Sequence, residues 1–178
     1  MKLANKLSLG TAIPLVLTVG LTSLCLYGIH CLIQTNSWVD HTHRVISDAR
    51  KTEASAVNME TGMRGYLLAG KEGFLEPYHS GRQTFGEKVA GLKEAVSDNP
   101  QQVELLGEIE NIITQWQINV TEPTIELRRT IGDAPTMNDM AELVSQAKGK
   151  VYFDRFRSQI DQFIQREQKL MIERQKAA

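Results

Sequence analysis

Between Leu7 and Ile33 the chain carries no Asp, Glu, Lys or Arg, and this run constrains it more than any other feature. As a helix it would rise roughly 40 Å at about 1.5 Å per residue, more than the hydrocarbon core of a bilayer. The expectation is a transmembrane helix over residues 7–33, with residues 1–6 as a cytoplasmic N-terminus. Lys2 and Lys6 precede the run and the next basic residue is Arg44, so the positive-inside rule places residues 34–178 outside. Trp38 is then expected near the outer interface. A cleaved signal peptide is the competing reading, but its apolar core is usually about 7–15 residues long and ends at a small-x-small site that is missing here. Pro14 falls inside the span, where a kink is tolerable because neighbouring helices or water satisfy the freed carbonyl.

The remainder of the chain is a different phase. With 20 Lys+Arg and 21 Asp+Glu overall, and two of the lysines ahead of the apolar run, residues 34–178 hold 18 basic against 21 acidic side chains. A nucleic-acid partner would need a basic surface and is excluded. Cys25 and Cys31 both lie in the apolar run, so the rest has no thiol for a disulfide framework, a Cys-ligated zinc or a nucleophile. Few aromatics and abundant Ala, Leu, Glu, Gln, Lys and Ile favour helix over sheet.

Apolar and small residues then recur at alternating spacings of four and three: Trp38, Thr42, Val45, Ala49, Thr52, Ala56, Met59, Met63 and Tyr66. That pattern predicts one long amphipathic helix over 35–69, stopped by Gly70 in the left-handed conformation. A second helix is predicted over 73–97 through Phe74, Tyr78, Phe85, Val89, Leu92 and Val96. A third, over 100–131, opens on Pro100 as a first-turn residue and carries Leu106, Ile109, Ile113, Trp116, Val120, Leu127 and Thr130 on one stripe. Pro123 removes the bond to the Asn119 carbonyl, so a bend is expected there. Gly132-Asp133-Ala134-Pro135 breaks that helix. Thr136 with Asp139 forms a weak capping box for a fourth, over 137–177 through Met140, Val144, Ala147, Val151, Phe156, Ile160, Phe163 and Leu170. The fold class expected is all-α: an up-down-up-down antiparallel four-helix bundle with the N-terminal transmembrane helix continuous with, or leading into, the first bundle helix. No stop signal follows Glu173, so the chain reads as a piece of a longer protein.

The motif Asn58-Met-Glu-Thr-Gly-Met-Arg-Gly-Tyr-Leu-Leu-Ala-Gly70, followed by Phe74-Leu-Glu-Pro-Tyr78, resembles the CHASE family, the cyclase and histidine-kinase associated sensory extracellular domains, type three. Trp38-Val39-x-His41-Thr42, Asp98-Asn99-Pro100-Gln101, Trp116 and Gly149-Lys150-x-x-x-Asp154 support the likeness, which covers about residues 34–176. The resemblance implies a periplasmic four-helix sensor between two membrane spans in the bacterial inner membrane. Its output would be a chemoreceptor, histidine-kinase or cyclase domain in the cytoplasm. This sequence ends before a second span or any output domain.

Within the motif, Glu60 and Arg64 are spaced for an i,i+4 ion pair. Gly62 and Gly65 each cost about 0.8–1 kcal/mol in a helix interior relative to alanine, which points to close helix approach or a weak spot. Packing, with a buried Arg64 hydrogen-bond network closing the end of the bundle, is the first reading. Ligand contact is the second, with Arg64, Glu60, Tyr66 and Tyr78 as candidates, because a guanidinium fork there would hold a carboxylate or phosphate. Gly62, Gly65, Gly70, Pro123 and Trp116 are the candidate structural and signal-transmitting positions. Glu76-x-x-His79 is a single copy where a di-metal bundle site needs two, and His41 and His43 diverge on a helix. No metal, cofactor or catalytic machinery is expected. The function expected is sensory input through small helix shifts in a homodimer, driven by an unknown small molecule or protein. The alternative is a dimerisation or protein-interaction module that binds no small molecule.

Overall fold

The structure, a computed structural model, describes residues 2–131 and 148–177, and the side chains of residues 15–30, 37–130 and 149–176. Among the described residues there are five α-helices and no strands. They are α1 (Lys2–Ala69), α2 (Glu76–Ala95), α3 (Pro100–Trp116), α4 (Glu122–Ile131) and α5 (Lys148–Ala177). A 3-10 turn, Glu72–Leu75, leads into α2, and a π-helical turn, Gln117–Thr121, joins α3 to α4. The predicted Gly132–Pro135 break, the Thr136/Asp139 cap and the first turns of the fourth helix lie outside the described residues.

The chain divides into two compact units, Met1–His41 with Leu170–Ala178, and Thr42–Lys169. In the first, Trp38 is exposed, meets His41 edge-on with ring centroids 6.0 Å apart, and carries the Arg174 guanidinium 4.1 Å above its ring. The side chains from Leu15 to His30 are exposed apart from the half-buried Gly28. The Thr18 and Thr22 hydroxyls donate back to the carbonyls of Leu15 and Thr18 at 2.9 and 2.8 Å. No helix among the described residues is long and apolar enough to cross a membrane. This overturns the expected placement in the bacterial inner membrane by one N-terminal span with a periplasmic bulk, and with it the interfacial role of Trp38.

The second unit holds the core. On α1 the inward residues are Thr42, Val45, Ala49, Thr52, Ala56, Met59, Met63 and Tyr66, all buried. Tyr78, Phe85, Val89 and Leu92 of α2 pack with them, as do Leu105, Leu106, Ile109, Ile112, Ile113 and Trp116 of α3 and Phe153, Phe156, Ile160, Phe163 and Ile164 of α5. The Phe153 ring stands edge-on to Trp116 at 5.0 Å and meets Phe156 at 6.1 Å. Phe74 and Val151, on the expected apolar faces, are exposed, and Leu75 is buried instead of Phe74.

Asn99 caps α3, its side chain accepting the Gln102 N–H at 3.4 Å, and Pro100 occupies the first turn. Where a bend at Pro123 was expected, the backbone widens into the π-turn, with the Glu122 N–H donating to the Gln117 carbonyl five residues back. The widening moves the Asn119 carbonyl out of the α-helical register in which the proline ring would clash with it. It also adds a residue to one turn. The inward face continues at Gln117, Thr121, Thr124 and Ile125, whereas Thr130 is exposed and Val120 and Leu127 are only half-buried.

Candidate functional site

The glycine-rich motif builds a close crossing of α1 and α2. A Cβ on Gly62 would lie 2.6 Å from the Tyr78 backbone nitrogen, and one on Gly81 would lie 2.7 Å from the Ser55 carbonyl oxygen and 2.8 Å from Met59 Cγ. Each helix therefore lends a glycine to the approach. Gly65 makes room for the Phe74 ring, 3.0 Å from its hypothetical Cβ. α1 ends at Gly70 with φ +68°, its N–H donating to the Tyr66 carbonyl at 2.8 Å.

Onto that end two consecutive arginines of α4 are laid. Arg128 Nε donates to the Leu67 carbonyl at 3.1 Å, and its guanidinium occupies the space a side chain at Gly70 would need. A cation on the last carbonyls of a helix also suits the negative end of its dipole. Arg129 grips Glu72 with two bonds, Nε to Oε1 at 3.0 Å and a terminal nitrogen to Oε2 at 3.1 Å. This fork holds the Glu72 carboxyl below the usual glutamate range. Tyr66, buried behind the pair, has its hydroxyl pushed above the ordinary tyrosine value by burial and then by the Glu72 charge.

The four candidate ligand residues do not converge. Arg64 pairs with Glu60 at 2.6 Å, but its side chain is 63% exposed, so the expected buried Arg64 network is corrected: a cation four residues from its partner on an outward face keeps its head in water. Tyr66 belongs with Glu72 and Arg129. Tyr78 lies beneath Gly62 and beside Gln117, with Arg82 and Glu122 nearby, and burial raises its hydroxyl. Arg82 and Glu122 pair at 3.5 Å. Trp116 is fully buried against Phe153 and next to Gly149. Among the described residues no group of three or more His, Cys, Asp or Glu is placed to hold a metal ion.

Sequence reasoning missed Arg128, Arg129, Glu72, Gly81 and Gln117. It also missed a buried polar pair, Gln102 and Glu167, joined at 2.8 Å, with Gln102 donating as well to the Phe163 carbonyl at 3.2 Å. The Arg-Arg doublet ending a predicted helix was the one visible signal. Its targets, 57 and 61 residues earlier, were not.

The helical core is thus clasped at one end, through the turn that follows α1, by Arg128 and Arg129. The chain matches the CHASE3 domain over residues 35–177 and belongs to that family. It is a sensory input domain of a signalling receptor. Its fold is similar to the crystal structure of the Rhodopseudomonas palustris histidine kinase HK9 sensor domain, with a TM-score of 0.64 and 21% identity over 74% of this chain and 98% of that one. No curated protein matches the sequence.

Proposed function

We propose that this domain senses by switching between two packings of an up-down-up-down four-helix bundle, and that the arginine clasp on the α1–α2 turn sets the balance between them. The carrying observation is the double grip of Arg128 on the Leu67 carbonyl and Arg129 on Glu72. Both side chains of the Arg129–Glu72 pair are about half exposed or more, and ion pairs so open to water contribute little to stability. A clasp of that strength is easily released by a ligand or partner that binds one packing better. The resulting shift passes along α1 and α5 to a cytoplasmic output domain of chemoreceptor or histidine-kinase type, with the receptor working as a homodimer.

Cysteine pairs placed between residues 42–59 and 156–169, in a chain with Cys25 and Cys31 replaced by serine, test this by their crosslinking rates with and without a stimulus that changes the receptor's output. The expected result is a changed pattern along both helices. Unchanged crosslinking under such a stimulus favours the second reading, a dimerisation module that binds no small molecule.

A further inference from the structure

α3 and α5 border a groove of about 420 Å³, lined by Gln101, Glu104, Leu105 and Glu108 of α3 and by Gln162 and Arg166 of α5. Their spacings of three and four put each set on one face of its helix. Leu105 is buried, Arg166 is half-buried and the other four are exposed. Gln102 and Glu167, the chain neighbours of Gln101 and Arg166, are buried and joined at 2.8 Å, and Gln102 also donates to the Phe163 carbonyl at 3.2 Å. Those bonds hold α3 against α5, so the groove is formed before anything enters it.

The groove carries charges of both signs that do not close on each other. Between other helices opposite charges do meet: Lys88 with Asp48 at 3.1 Å, Lys93 with Glu110 at 2.5 Å and Arg50 with Asp161 at 3.6 Å. Neither Glu104, Glu108 nor Arg166 takes part in an ion pair among the described residues. Glu104 and Glu108 are also like charges four apart on one helix, which repel unless a cation lies between them.

The lining therefore asks for two things at once. A cation answers the two carboxylates of α3, and a carboxylate answers the planar guanidinium fork of Arg166 on α5. The Gln101 and Gln162 amides both donate and accept beside them. A ligand with one charge alone is matched on one helix and opposed on the other, whereas one with both is complemented at each end. We propose that this groove binds a small zwitterion of the amino-acid class, its ammonium on Glu104 and Glu108 and its carboxylate on Arg166. The binding stands on the groove's own chemistry; what occupancy does to the bundle rests on the sensory reading above.

Ligand-observed NMR on the full chain tests this with L-alanine and γ-aminobutyrate, which hold the two charges close together and farther apart, and with acetate and ethylamine, which carry one each. At least one zwitterion should bind saturably, and tenfold or more tighter than either single-charge probe. Arg166→Gln should weaken it tenfold or more, and so should Glu104→Gln combined with Glu108→Gln. Glutamine keeps the helical propensity at these groove positions, so without probe the variants should fold and melt like the parent. Tighter binding of L-alanine assigns the groove to α-amino acids, and tighter binding of γ-aminobutyrate to zwitterions with separated charges. Binding of neither zwitterion, binding no tighter than the single-charge probes, or equal binding by parent and variants overturns the proposal. So does a melting temperature lowered by Arg166→Gln in the parent but not where Glu104 and Glu108 are already replaced, because the groove's charges would then satisfy one another. Binding that leaves α1–α5 crosslinking unchanged upholds the site and refutes its role in signalling.

Discussion

Gly62 and Gly91 both sit inside helices, yet opposite consequences follow from adding one methyl group. Alanine is favoured over glycine in a helix by about 0.8–1 kcal/mol. At Gly91 and Gly86 nothing lies within 4 Å of the new atom, so Gly91→Ala should raise stability by about 0.5–1 kcal/mol in urea unfolding. At Gly62 the methyl meets the backbone of Tyr78 at 2.6 Å, and overpacking of this kind costs about 1–3 kcal/mol. Gly62→Ala should therefore destabilise, and equal gains for the two variants would show that the crossing is not tight. The same scale carries a pH effect. Because Arg129 holds the Glu72 carboxyl below its ordinary value, the pair's contribution is complete above the unfolded glutamate value of about 4.3 and is lost as pH falls through the lower folded value. Melting curves from pH 6 to pH 3 should fall less steeply for Glu72→Gln than for the parent. Parallel curves would mean that the fork adds nothing to folding.

Among the elements, the α3–α4 run shows most clearly where sequence reading stops. The stripe Leu106, Ile109, Ile113, Trp116 was legible from spacing and is buried, and so was the α1 seam from Thr42 to Tyr66. Beyond Trp116 the spacing rule assumed an α-helix, and the π-turn moved the inward face from Val120 and Leu127 to Thr121, Thr124 and Ile125. Pro123 marked the place, but propensity does not say whether a helix answers a proline by bending or by widening. Removing one residue from the π-turn should restore α-helical phase between Trp116 and Ile125. Deletion of the exposed Ile118 alone returns Pro123 to an α-helical interior and should cost about 3 kcal/mol. The same deletion combined with Pro123→Ala should recover most of that loss in urea unfolding. If the combined variant is as unstable as the deletion alone, the π-turn is not a one-residue insertion in phase with the core.

For the whole molecule, the family and the helical class were legible because they are carried by contiguous residues, Asn58–Gly70 above all. The clasp was not, since Arg128 and Arg129 find their partners only through the tertiary fold. The long uncharged run pointed to a membrane span that the described helices do not support. The central claim, that the clasp fixes how α1 and α5 pack, is tested most directly by one distance. Arg50 of α1 and Asp161 of α5 pair at 3.6 Å and are both more than half exposed, so spin labels at these two positions, with Cys25 and Cys31 replaced by serine, read the packing without touching the core. Pulsed electron-spin distance measurement should give one distribution with the clasp intact. With Arg128→Ala and Arg129→Ala it should be displaced or split by about 1–2 Å, the scale of helix shifts in switching proteins. An identical distribution in a double variant that remains helical and unfolds cooperatively would contradict the account.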